Sequence, residues 1–152
     1  VKAGDIGGLI QQEENLSHDG LCWIYDHAQV IDDAKVHGNA RLYGTVIVKD
    51  YAEVFENAIV RGNALISDFA MVYGDCVISS EAEIAQRAEI HGNAIVYDNA
   101  RVSGEARVHG HATVRGRSRV FGRAHVYGNS ELYYMAVVCE NERISGDMTV
   151  WQ

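Results

Sequence analysis

Ala88-Glu89-Ile90-His91-Gly92-Asn93, Ala94-Ile95-Val96-Tyr97-Asp98-Asn99 and Ala100-Arg101-Val102-Ser103-Gly104-Glu105 are three consecutive versions of one six-residue phrase. Each reads small, variable, aliphatic, variable, Gly or Asp, and usually Asn. The phrase runs on in both directions. Stepping by six from Ile24 to Val150 passes 22 positions, all of them Val, Ile or Leu. Two residues before most of them stands an alanine, such as Ala28, Ala34, Ala40, Ala52 or Ala124, with Val46, Cys76, Ser118 and Ser130 as mild variants. Only Glu142 and Met148, near the end, depart from this rule. In an extended strand alternate side chains share a face, so the small and aliphatic residues point inward together and their neighbours point out. Gly or Asp followed by Asn makes a turn, because these residues tolerate positive φ at low cost. Each hexad is thus one short strand and one corner. Such a unit cannot bury its inner face alone, and stacking coil on coil does. The pattern predicts an all-β, single-stranded parallel β-helix over residues 22–152.

Residues 1–21 fall outside the register and are expected to form a short N-terminal cap, with Leu9, Ile10, Leu16 and Leu21 covering the open edge of the first coil. The 152 residues suit one domain, and 47% apolar with 22% charged residues indicates a packed core rather than disorder. Fifteen glycines and no proline fit frequent regular turns. A formal net charge of −8 argues against a general nucleic-acid binder. The charge is uneven: residues 1–76 carry five Lys/Arg against twelve Asp/Glu, and residues 77–152 carry eight Arg against nine. Cys22, Cys76 and Cys139 are too sparse for a disulfide framework or a CxxC zinc site, and read as reduced thiols in a cytoplasmic protein. Cys76 is expected to be buried and inert, and Cys139 to point outward. No run of about 18 apolar residues exists to span a membrane. The chain starts at Val1 without a signal pattern, and Thr149-Val150-Trp151-Gln152 ends in register without a cap, as expected of a processed chain or a piece of a longer one.

Units such as Val36-His37-Gly38-Asn39-Ala40-Arg41 and Val96-Tyr97-Asp98-Asn99-Ala100-Arg101 resemble the hexapeptide repeat of the left-handed β-helix superfamily. In that superfamily three hexads make a triangular coil of eighteen residues, which implies about seven coils here, roughly 35 Å in length at ~4.8 Å per coil. The left hand is implied by the resemblance alone. A right-handed triangular solenoid of the bactofilin kind satisfies the same pattern, and here Gly stands one place later than in the superfamily repeat. The opening, with Gly4-Asp5-Ile6-Gly7-Gly8, Glu14-Asn15-Leu16-Ser17 and Cys22-Trp23-Ile24-Tyr25, resembles hexapeptide-repeat proteins of phages and prophages and the acyltransferase-type proteins called YdcK-like.

Residues eighteen apart become vertical neighbours, so function is sought by column. On the face of Val36, the outward column His37, Phe55, Tyr73, His91, His109, Tyr127 stands beside Lys35, Glu53, Met71, Glu89, Arg107, His125. His91, His109 and His125 are candidates for acid–base chemistry or a shared metal, set against an aromatic ladder that stacks for stability. On the face of Leu42, Ile59, Val77 and Ile95 stack beside Tyr43 and Tyr97, an apolar stripe of the kind that marks contacts. Asp32, Asp50 and Asp68 recur at one corner, either as solvated turn residues or as a cation site. Arg101, Arg115 and Arg119 are candidates for a phosphate or anionic sugar, set against ion-pair ladders with glutamates.

Three readings of function follow. The first is a non-catalytic scaffold or binding protein, phage or prophage encoded, that self-associates or binds a protein partner through its flat faces and needs no cofactor. A virion-associated location goes with a structural role of that kind. The resemblance implies a homotrimer packed by one face. The second is an acyltransferase using acetyl-CoA or another acyl-CoA. Against it stand the absence of any inserted loop in 22 hexads and the lack of a concave pocket on a prism. The third is an acidic inhibitor of a host protein, suggested by the N-terminal carboxylates.

Overall fold

The structure, a computed structural model, describes residues 6–151. Gly4, Asp5 and Gln152 lie outside the described residues. The chain coils into three parallel sheets of eight strands each, about eight turns of roughly eighteen residues. Successive strands go to successive sheets, so each strand pairs with the third strand before and after it. One sheet contains Leu9–Ile10, Gln29–Val30, Ile47–Val48, Leu65–Ile66, Glu83–Ile84, Arg101–Val102, Arg119–Val120 and Val137–Val138. The second runs from Leu16–Gly20 through Lys35–Gly38 to Arg143–Ile144, and the third from Trp23–Ile24 to Thr149–Trp151. These are the Val48, Val36 and Leu42 faces. Register is eighteen residues throughout the repeat, as in Val77↔Ile95 and Glu89↔Arg107. Pairing fixes direction and register; the hand of the coil is independent of both.

The inward positions are as the repeat requires. Alanines 28, 34, 40, 52, 58 and their successors are buried, as are the aliphatic residues from Ile24 to Val138. The small residue is needed because three sheets converge on a narrow triangular interior that has no room for two large side chains per strand. Where serine replaces alanine its hydroxyl is satisfied locally: Ser118 Oγ donates to the Arg115 carbonyl at 2.7 Å, and Ser130 Oγ to that of Tyr127 at 2.8 Å. Cys76 is fully buried and burial pushes its thiol up to about 12, so it stays protonated. Cys139 is half-buried.

The corners adopt positive φ, from 55° at Asp26 to 79° at Gly44 and Gly74 among the repeats. Asp and Gln at these corners also bind the coil above. Asp32 Oδ2 accepts the N–H of Asp50 (3.3 Å), Asp50 Oδ2 that of Asp68 (3.2 Å), Asp68 Oδ2 that of Gln86 (2.9 Å), and Gln86 Oε1 that of Gly104 (2.6 Å). Each side chain thereby satisfies a backbone donor left free by the turn.

The segment before Cys22 follows no hexad pattern, yet it adds a turn to the seven of the repeat. Leu9–Ile10 pairs with Gln29–Val30, and Leu16–Gly20 with Lys35–Gly38 through an irregular register. Buried Asn15 anchors the two pieces. Its amide donates to the carbonyls of Asp32 and Ala34, both at 2.8 Å, and its carbonyl accepts from the N–H groups of Gln11 and Gln12. Among the described residues the sole helical element is the 3-10 turn Glu13–Asn15, and no helix is long and apolar enough to cross a membrane.

Candidate functional site

The Val36 face places all three candidate histidines on adjacent strands. The outward column is a continuous stack: ring centroids lie 4.9 Å apart for His37–Phe55, 4.8 Å for Phe55–Tyr73, 4.9 Å for Tyr73–His91, 4.8 Å for His91–His109 and 5.1 Å for His109–Tyr127. The planes deviate from parallel by 3° to 8°. Such a stack follows from the fold, because parallel in-register coils put equivalent side chains one strand spacing apart. His125 stands in the companion column next to Arg107 and Arg143. Burial holds His91, His109 and His125 below the usual imidazole range, and His109 is lowered further by His91 and His125. Among the described residues no three His, Cys, Asp or Glu side chains converge in the way a metal ion requires.

This depressed basicity has a direct thermodynamic sign. A histidine with a folded pKa below its unfolded value of about 6.5 binds its proton more readily when the chain is unfolded. The ladder's contribution is therefore complete above about pH 6.5 and is lost as the pH falls from there through the folded value. Urea melts at pH 7.5 and 5.5 are expected to show a larger acid loss for wild type than for the double variant His91→Phe/His109→Phe, which keeps the stacking rings. Equal losses would remove protonation of His91 and His109 as the cause.

The other candidates separate. Asp32, Asp50 and Asp68 share one column, and each carboxylate accepts a backbone N–H of the next coil. Arg101 and Arg119 are vertical neighbours on the Val48 face. Arg115 belongs to the Leu42 face, where its Nε meets Glu131 Oε1 at 2.7 Å and its guanidinium lies 5.1 Å over the Tyr133 ring. Arg117 joins Arg101 and Arg119 in its place, lining one cleft with them. The charge ladders expected of the glutamates are present as Arg107–Glu89 (3.2 Å) and Arg123–Glu105 (3.0 Å). On the Leu42 face Ile59, Val77 and Ile95 stand in direct register; the first two are half-buried and Ile95 is 40% exposed.

Residues 94–110, at the centre of these columns, match a family model described as the YdcK beta solenoid repeat. This stretch carries a YdcK-type repeat. A relative described as an uncharacterized acetyltransferase YdcK, from Escherichia coli strain K12, is 43% identical over 49 residues, which is 32% of this chain. The match spans 15% of that protein's length. No solved structure matches the chain. Two surface features of this solenoid are not evident from the repeat pattern. Tyr51 and Phe69 stack at a corner with centroids 5.1 Å apart, with Arg87 lying 5.9 Å over Phe69. Exposed Tyr134, Met135 and Val137 crowd near the last coils. Both follow from the eighteen-residue spacing or from local adjacency, so columns drawn for every corner as well as every face would have found the first.

Proposed function

We propose that the chain is a non-catalytic, left-handed β-helical scaffold that self-associates through its Leu42 face, as a homotrimer. The observation that carries this reading is the stack of Ile59, Val77 and Ile95 on a flat eight-strand face, flanked by Tyr43 and Tyr97. Contiguous apolar surface on a rigid sheet loses contact with water when a second copy covers it. The aromatic ladder on the neighbouring face supports the same reading, since its imidazoles already serve in a stack that stiffens the prism. A phage or prophage origin, as the opening segment implies by resemblance, fits a rod-like assembly part. Sedimentation velocity is the test: a trimer is expected for wild type, and a monomer with unchanged circular dichroism for Ile95→Asp. A monomeric wild type at high concentration would discard the interface.

A second reading, acyl transfer, draws on the likeness to the Escherichia coli protein described as an acetyltransferase and on the histidines of the Val36 face. It requires acetyl-CoA binding by calorimetry and loss of turnover in His91→Ala or His109→Ala. No heat of binding is expected under the scaffold reading.

A further inference from the structure

The Val48 face carries Glu83, Arg101 and Arg119 on successive strands, each the register partner of the next. Arg101 and Arg119 are the one directly opposed pair of side chains of like charge at neutral pH among the described strand pairs; elsewhere acidic residues meet arginine, lysine or an uncharged residue. Like charges set directly opposite weaken a sheet. Glu83 answers Arg101 at 3.1 Å. No carboxylate answers Arg119, whose guanidinium lies 5.4 Å over the Phe121 ring, or Arg117 at the preceding corner, among the described residues. In a chain of net charge −8 this is a local excess of positive charge.

The three arginines and Asn99 line a cleft of about 450 Å3. Asn99 Nδ2 donates to Glu81 Oε2 at 2.5 Å, on the side away from the later arginines. Across the Arg101–Arg119 ridge a trough of about 160 Å3 passes over Ala85 and Ser103 to Phe121. The Ser103 hydroxyl has no partner among the described residues, so it is available to a ligand lying there.

We propose that this cleft binds a phosphomonoester, its phosphate between Arg101, Arg117 and Arg119 and its organic group along the trough over Ala85 and Ser103. Charge selects the ligand class. Among the residues lining the cleft and the trough, three guanidinium groups less the Glu83 carboxylate leave two positive charges, Glu81 and Asp98 lining the adjoining hollow with Arg117, and a phosphomonoester carries about two negative charges at neutral pH. A carboxylate or a phosphodiester supplies one. Guanidinium forks also match the oxygens of a tetrahedral phosphate in pairs. The site lies on a different face from Ile59, Val77 and Ile95, so it stands whatever the oligomeric state.

Isothermal titration at low salt with glycerol 3-phosphate, glycerol and inorganic phosphate tests the proposal on wild type, Arg119→Gln and Arg123→Gln. Glycerol 3-phosphate is expected to bind wild type, glycerol not to bind, and inorganic phosphate to bind at least about tenfold more weakly because it leaves the trough empty. Arg119→Gln is expected to weaken binding at least about tenfold, while Arg123→Gln, whose arginine belongs to another column, changes it by less than about twofold. Absence of heat with millimolar glycerol 3-phosphate overturns the site. So does equal weakening by Arg123→Gln, which would indicate bulk surface charge, or inorganic phosphate binding as tightly as the ester.

Discussion

Val96→Asp is expected to lose the β-type circular dichroism and the cooperative urea transition, while Ile95→Asp, one residue earlier, keeps both. Val96 is fully buried in the middle of the stack, between the strands of Ile78 and Val114. A carboxylate there has apolar neighbours on three sides and no free donor to meet it. Burying it costs more than about 4 kcal/mol even if it takes up a proton. That is comparable to the whole stability of many domains, about 5–15 kcal/mol. The damage is also central. Each coil contacts its two neighbours and little else, so a failed coil leaves two shorter stacks with open edges. Ile95 lies in the outward column, and aspartate there is solvated, at a cost below about 1 kcal/mol within one chain. A folded Val96→Asp, or an unfolded Ile95→Asp, would mean that the alternation of inward and outward residues has been assigned the wrong phase.

Gly104→Val is expected to destabilise the fold by about 3 kcal/mol and Gly104→Asn by about 1 kcal/mol. Gly104 has φ +74°, and a Cβ on it would meet the backbone N and O of Gly122 at 2.7 Å. The column shows what the corner accepts. Gln86, eighteen residues earlier, has φ 61° and uses its side-chain oxygen to receive the Gly104 N–H at 2.6 Å. Asparagine reaches the left-handed region readily and offers the same kind of acceptor to the Gly122 N–H. Either Cβ must push the Gly122 backbone back; asparagine's acceptor offsets part of that cost, whereas valine has no acceptor and adds a second branch at Cβ. Urea midpoints of the two variants against wild type measure the difference. Equal midpoints would show that the corner tolerates bulk and that the acceptor is irrelevant.

The period of six is written in the residue types themselves, since Val, Ile or Leu at every sixth place admits one inward face and one corner per hexad. The period of eighteen is not. The resemblance implies it, and the pairing of Val77 with Ile95 and of Glu89 with Arg107 establishes it. Once the longer period is granted, the stack from His37 to Tyr127 and the neighbourhood of Arg101 and Arg119 follow by counting. The strands at Leu9–Ile10 and Leu16–Gly20 were not legible, because buried Asn15 binds the carbonyls of Asp32 and Ala34 through side-chain contacts that no hexad pattern encodes. The corner aspartates were ambiguous for a related reason. A turn residue and a turn residue that also accepts the N–H above it look alike in one sequence. Arg115 and Arg117 are two residues apart, and a corner between them sends one to the Leu42 face and the other to the cleft, so nearness in sequence does not group the arginines.

The three-sheet coil gives core and surface different arithmetic. Inward residues repeat every six places, so the interior cannot distinguish one face of the prism from another. The ladders and the arginine cleft repeat every eighteen. A duplication or loss of one hexad would leave every downstream aliphatic residue buried, yet turn the rest of the molecule by one face. Made between Glu83 and His91, such a change would leave Tyr73 no longer stacked on His91 and Glu83 no longer opposite Arg101. A gain or loss of three hexads would disturb neither. Length in this architecture can therefore change by single hexads without harm to folding, but only by whole coils without rearranging everything the surface presents.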